Sequence, residues 1–75
     1  RKKKYILFNL PKEKLDEAAS IIGGMKSPTV TPLMDEGWIS VQSAVDEERF
    51  WSVFESLRVI GAEGILVMNI EKMTE

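Results

Sequence analysis

Two helix-like segments set among four strand-like ones, in the order βαββαβ, predict an α+β fold. The expected architecture is ferredoxin-like: a four-stranded antiparallel sheet with two helices on one face. Three observations carry this reading. Apolar residues recur at helical spacing twice, at Leu15, Ala18, Ala19 and Ile22 and again at Phe50, Val53, Phe54 and Leu57. Runs rich in aromatic and branched residues flank each of these segments. The link Met34–Gly37 (MDEG) is short enough for a hairpin, so the helices serve as the two crossovers.

Each element has a local cause. Lys4–Leu10 reads as a first strand, with Ile6 and Phe8 on one face and Tyr5 and Leu7 on the other. Pro11 ends it and suits the first turn of a helix, which Gly23 and Gly24 then stop. Thr29–Leu33 reads as a second strand, and Pro32 within it makes that strand an edge or a bulged one, because proline donates nothing to a ladder. Trp38–Val45 alternates as a third strand. Asp46 is expected to N-cap the second helix, with Glu47 and Glu48 at the positive end of its dipole. Gly61 ends that helix, and Gly64–Ile70 forms a fourth strand followed by a charged tail. Both helices on one face leave the other face of the sheet uncovered. Ile65–Met68 is apolar on both sides, and Tyr5, Leu7 and Trp38 are expected to add to that face, which another copy of the chain could cover.

A chain of 75 residues makes one domain, 1–75, in which residues 1–4 read as the end of an interdomain linker. A domain this short buries only about 60% of the surface its unfolded chain exposes. Without cysteine it has no disulfide to compensate, and without histidine or cysteine a zinc site is improbable, so association is the expected support. The net charge of −2 argues against a nucleic-acid partner. No apolar run approaches the ~20 residues needed to span a bilayer, and no signal-peptide pattern is present, so a cytoplasmic protein without membrane contact is expected. The chain begins at Arg1 rather than Met and reads as a piece of something longer.

Catalytic constellations are hard to find. Without histidine or cysteine there is no triad, imidazole acid–base pair or thiol nucleophile. The carboxylates Asp35, Glu36, Asp46, Glu47 and Glu48 read as turn, cap and solvated-face residues rather than metal ligands. The glycine pairs open no phosphate loop. The basic run Arg1–Lys4 is a linker before it is a phosphate contact. RNA-recognition modules of this fold display stacking aromatics on their two central strands, whereas Ile6, Phe8, Leu66 and Met68 are mainly aliphatic.

The segment Gly23–Trp38 holds two prolines, three glycines and three hydroxyl residues, Ser27, Thr29 and Thr31. Hydroxyls and amides in a pre-bent loop can bind the ammonium and carboxylate of an amino acid. They can equally stabilise the turn itself, and composition leaves both open.

Met25–Val30 (MKSPTV), Pro32–Leu33, Asp35–Trp38 (DEGW), Ile60–Val67 (IGAEGILV) and Ile70–Met73 (IEKM) together resemble the C-terminal regulatory domain of long-form ATP phosphoribosyltransferase. Lys4–Asn9 and Pro11 fit as well, so the resemblance covers essentially the whole chain. That family catalyses the first step of histidine biosynthesis, with catalysis and magnesium in two preceding domains. The resemblance therefore implies no catalytic residue, metal or cofactor in this chain. It implies that the domain binds L-histidine between neighbouring subunits of a hexamer and inhibits the enzyme by feedback. By the same resemblance, Ser27 and Thr29 hold the ligand and Met25 is an apolar pocket position. Ala44 forms a pocket wall, and Gly64 contributes backbone contact. Asn9 is the nearest match to an acidic ligand contact of some relatives. It is neutral, so either histidine is held more weakly, or Asp16 or a residue of a neighbouring subunit supplies the carboxylate. A structural oligomerisation module, trimeric or hexameric and without ligand sensing, is the alternative reading.

Overall fold

Alternation along the first strand sets the architecture. A computed structural model describes residues 2–23 and 27–74. Strand β1 runs from Lys3 to Pro11, and in it Ile6, Phe8 and Leu10 are buried while Tyr5, Leu7 and Asn9 between them are not. Successive side chains of a strand point to opposite faces, so β1 seals one face and leaves the other open. A 3-10 turn (Lys12–Lys14) leads into α1 (Leu15–Ile22), and β2 (Thr29–Pro32) and β3 (Trp38–Asp46) follow as a hairpin. A second 3-10 turn (Glu47–Arg49), α2 (Phe50–Val59) and β4 (Glu63–Asn69) complete the chain. The strands form one antiparallel sheet in the order β2-β3-β1-β4, which is the ferredoxin-like arrangement expected from the pattern.

One core holds the fold together. Ile6, Phe8 and Leu10 of β1 meet Ile39, Val41 and Val45 of β3, and both helices cover them, α1 through Ala18 and Ile22 and α2 through Phe50, Val53 and Leu57. Burial of a side chain of this size stabilises by about 1.5–3 kcal/mol. The buried positions of α1 and α2 are drawn from the two stripes read in the sequence. Pro32 sits in an edge strand, as its missing N–H requires.

Four local expectations are corrected. Pro11 does not open a helix; it is the last residue of β1, and the α-helix begins only at Leu15 after the 3-10 turn. Asp46 does not cap α2 with its side chain; it ends β3, and its carboxylate accepts a hydrogen bond from Lys3 Nζ at 2.6 Å. An ion pair across the β1–β3 ladder outcompetes a local cap here. Lys3 and Lys4 belong to β1, where Lys4 donates to Asn69 Oδ1 and lies 5.8 Å above the Phe50 ring. Ile6 and Phe8 lie beneath the helices, and Leu66 and Met68 lie on edge strand β4, so none of these four is on the exposed face of a central strand. The open face of the central strands presents Tyr5, Leu7, Asn9, Trp38, Ser40, Gln42 and Ala44; its two aromatic rings, Tyr5 and Trp38, stand toward opposite ends of the ladder and make no stacking platform.

Candidate functional site

Cross-strand partners share a face, so the register lays out the open surface row by row. The middle row runs Thr29, Gln42, Leu7, Leu66 across β2, β3, β1 and β4. On one side of it lies the row Ala44, Tyr5, Met68, and on the other Thr31, Ser40, Asn9, Glu63. Leu66 and Met68 are about half exposed, at 58% and 47%.

The site residues expected from the sequence fall on this map as two groups. Thr29 and Ala44 lie toward the β2–β3 side, one row apart. Thr29 is exposed and Ala44 half-buried, and Ser27 is exposed just before β2. Asn9 and Gly64 lie together toward the β1–β4 side. Met25 lies outside the described residues. Strands are spaced about 4.8 Å apart, so β2 and β1 are separated by about 10 Å and β2 and β4 by about 14 Å. An amino acid placed against Thr29 therefore does not reach Gly64 of the same protomer. Asp16 is in α1, in the layer beyond the opposite face of the sheet from Asn9, and does not replace a carboxylate there.

Local physics positions each group. Gly64 sits in a bulge, where the steps from Leu66 to Glu63 on β4 oppose the shorter run from Leu7 to Asn9 on β1. Its φ is +58°, in the left-handed region that favours glycine, and a Cβ there would lie an ordinary 3.8 Å from Asn9 Nδ2. The backbone conformation, not crowding, thus requires glycine, and the bulge brings the backbone beside the Asn9 amide. On the other side, Tyr5 Oη donates to Gln42 Oε1 at 2.9 Å and orients Gln42 in the row of Thr29.

Two residues of this surface escaped the sequence reading. Gln42 was legible in principle, since it alternates in phase with Ser40 and Ala44 along β3. Glu63 was not, because only the bulge sets it opposite Asn9. Glu63 matters because Asn9, Ser27, Thr29, Ala44 and Gly64 carry no charge, and it brings a carboxylate to the Asn9 end of the face. A separate cavity of about 560 Å³ lies at the opposite end of β1, lined by Lys2–Lys4, Glu47 and the segment after β4. Of its lysines, Lys3 engages Asp46 and Lys4 engages Glu47 and Asn69, and none of the site residues expected from the sequence lines it. Among the described residues, no group of three or more carboxylates, histidines or cysteines could hold a metal ion, and no helix is long and apolar enough to cross a membrane.

The family model described as "HisG, C-terminal domain" matches residues 1–72. The chain is 58% identical over 71 residues to an ATP phosphoribosyltransferase of Parabacteroides distasonis, covering 95% of this chain and 25% of the relative. Over the same length and shares, it is 56% identical to an ATP phosphoribosyltransferase of Bacteroides thetaiotaomicron. It is 45% identical over 74 residues to that of Cytophaga hutchinsonii, covering 99% of this chain and 26% of the relative. The chain spans about a quarter of the length of the curated relatives it matches.

Proposed function

The chain belongs to the HisG C-terminal domain family, and on that premise we propose that it is the histidine-sensing regulatory domain of an ATP phosphoribosyltransferase. L-histidine, the end product of the pathway, binds between the open faces of neighbouring subunits and inhibits the first pathway step by feedback. Phosphoribosyl transfer and its magnesium belong to catalytic domains of the parent protein.

The observation that carries this reading is the division of the open face. Thr29 and Ala44, with Ser27 just before β2, lie toward one edge, while Asn9 and Gly64 lie toward the other, and Gly64 is too far from Thr29 for one amino acid to bridge within a protomer. Two copies that set the β2–β3 side of one against the β1–β4 side of the next would bring both groups to one ligand. The half-exposed Leu66 and Met68 give such a contact apolar area to bury. The hydroxyls of Ser27 and Thr29 suit the ligand carboxylate, and Glu63 beside Asn9 suits a cationic ammonium or imidazolium. Inhibition requires that histidine bind one subunit arrangement more tightly than another, and a coupling of about 1–3 kcal/mol is typical.

Titration calorimetry of the assembled full-length protein with L-histidine tests the proposal. Saturable heat is expected, lost in the double variant Ser27→Ala/Thr29→Ala with the oligomer intact. Absence of heat from the assembled wild type overturns the reading. The neutral Asn9 favours one competitor, an assembly module of the same fold that does not sense ligand. That reading expects a trimer or hexamer in sedimentation whose size and stability ignore histidine.

A further inference from the structure

We propose that Arg49 is a positioning residue for the segment that carries Ser27 and Thr29: its guanidinium fixes where the chain leaves α1. The inference rests on the histidine-binding reading above for its functional consequence, but its geometry stands apart from that reading.

Helix α1 is two turns long, and its last carbonyls have no intrahelical partner. The helix has no basic residue of its own in its last turn to meet them. Arg49, remote in sequence, does so: Nη1 donates to the Ile22 carbonyl and Nη2 to the Ile21 carbonyl, each at 2.9 Å. Such a two-pronged grip uses the planar fork of arginine, and lysine cannot reproduce it. Gly23 completes the arrangement. Its N–H donates to the Ala19 carbonyl at 3.0 Å, its φ is +66°, and a Cβ there would lie 3.5 Å from Nη1 and 3.9 Å from Nη2. The guanidinium thus packs directly against the residue at which the chain turns out of the helix.

Arg49 is itself well anchored. It closes the 3-10 turn that follows β3, and Glu47 N–H in that turn donates to the Lys2 carbonyl at 3.0 Å beside the start of β1. The end of the sheet, Arg49 and the end of α1 therefore form one connected frame. What it holds is otherwise placed by one short ladder. Strand β2 is four residues long, exposed throughout and paired only to β3. Ser27 lies four residues beyond Gly23, a reach of at most about 14 Å. Thr29 is placed by its pairing with Gln42, and Gly23, held at the end of α1, fixes the other end from which Ser27 is reached.

Simple helix capping would cost stability and nothing else, so the test separates the two effects. In the assembled full-length protein, Arg49→Ala is compared with Arg49→Lys and with Val53→Ala, a cavity variant on the buried side of α2. Each is measured for L-histidine affinity, melting temperature and amide exchange over residues 27–31. Arg49→Ala is expected to weaken histidine binding about tenfold and to speed exchange in that segment by a similar factor. Val53→Ala is expected to lower the melting temperature at least as much, with affinity and exchange there within about twofold of wild type. Arg49→Lys falls between. Unchanged affinity in Arg49→Ala, or an equal loss in Val53→Ala, overturns the role in ligand binding. If the wild type binds no histidine, the functional reading fails, and exchange alone decides the positioning role: acceleration specific to Arg49→Ala supports it, and its absence overturns it.

Discussion

Ile6, Phe8 and Leu10 on one face of β1 are sealed beneath α1 and α2, whereas Tyr5, Leu7 and Asn9 on the other meet no second layer among the described residues. The two sets interleave residue by residue on a single strand, so strand propensity and chain position do not separate them. What separates them is coverage. The buried residues of the covered face are all apolar and serve the fold. The open face mixes hydroxyls, amides, carboxylates, an ammonium and apolar side chains, a composition that serves recognition of a small polar ligand and of another protein surface together.

Perturbing each face in turn separates their roles most directly. Phe8→Ala removes a fully buried ring from the centre of the core and is expected to destabilise by about 3–5 kcal/mol, read as a large fall in melting temperature. A domain this small has little reserve, so partial unfolding near 37 °C is the expected state. A loss below about 1 kcal/mol would contradict the packing described for β1.

Leu66→Asp applies the complementary perturbation to the open face. Leu66 is 58% exposed in the protomer, so secondary structure measured by circular dichroism should stay unchanged. Association through that face should weaken at least tenfold, since burying an unpaired carboxylate adds to the loss of a leucine contact worth about 1.5–3 kcal/mol. Sedimentation at several concentrations measures it. Unaltered assembly would exclude the β4 side of the open face as a contact between copies.

The fold was legible because its signals repeat. Two stripes at helical spacing and the alternation of Lys4–Leu10 and Trp38–Val45 each state one side of the core, and their order leaves few topologies. The residues of the open face were legible only in part. Tyr5 and Leu7 follow from alternation. Their neighbours do not, because register depends on which residues face each other across β1–β3 and β1–β4, and no local pattern encodes that. The bulge at Gly64 is the clearest case: it pairs Glu63 with Asn9 and so brings a carboxylate to a position where the sequence offers only an amide. Asp46 shows the converse failure. Its fitness as a cap is local, and a long-range partner, Lys3, takes it instead.

A smaller test concerns the bulge that shapes the β1–β4 end of the open face. Gly64→Ala puts a Cβ on a residue at φ +58°, which costs about 1 kcal/mol from backbone strain alone, since the nearest described atom, at 3.8 Å, leaves room for the methyl group. Denaturant unfolding with an unchanged m-value should record that loss. A stabilising effect would mean that the residue relaxes out of the left-handed region, and that the bulge is not held by its glycine.

The smallest effect is expected where the two faces end, at the Lys3–Asp46 pair. The two residues are cross-strand partners at the end of the β1–β3 ladder, on the open face, and their side chains retain about a fifth of their exposure, at 21% and 20%. A pair that keeps this much water gains little from Coulomb attraction, and holding a lysine side chain in one geometry offsets part of the gain. A double-mutant cycle through Lys3→Met and Asp46→Asn should therefore give a coupling of about 0.5–1 kcal/mol, reduced at high salt. A coupling several times larger would mean that this end of the sheet is drier than one protomer makes it, as it would be if a neighbouring copy covered the row containing the pair. The size of this one ion pair thus reports independently on how far along the open face an association surface extends.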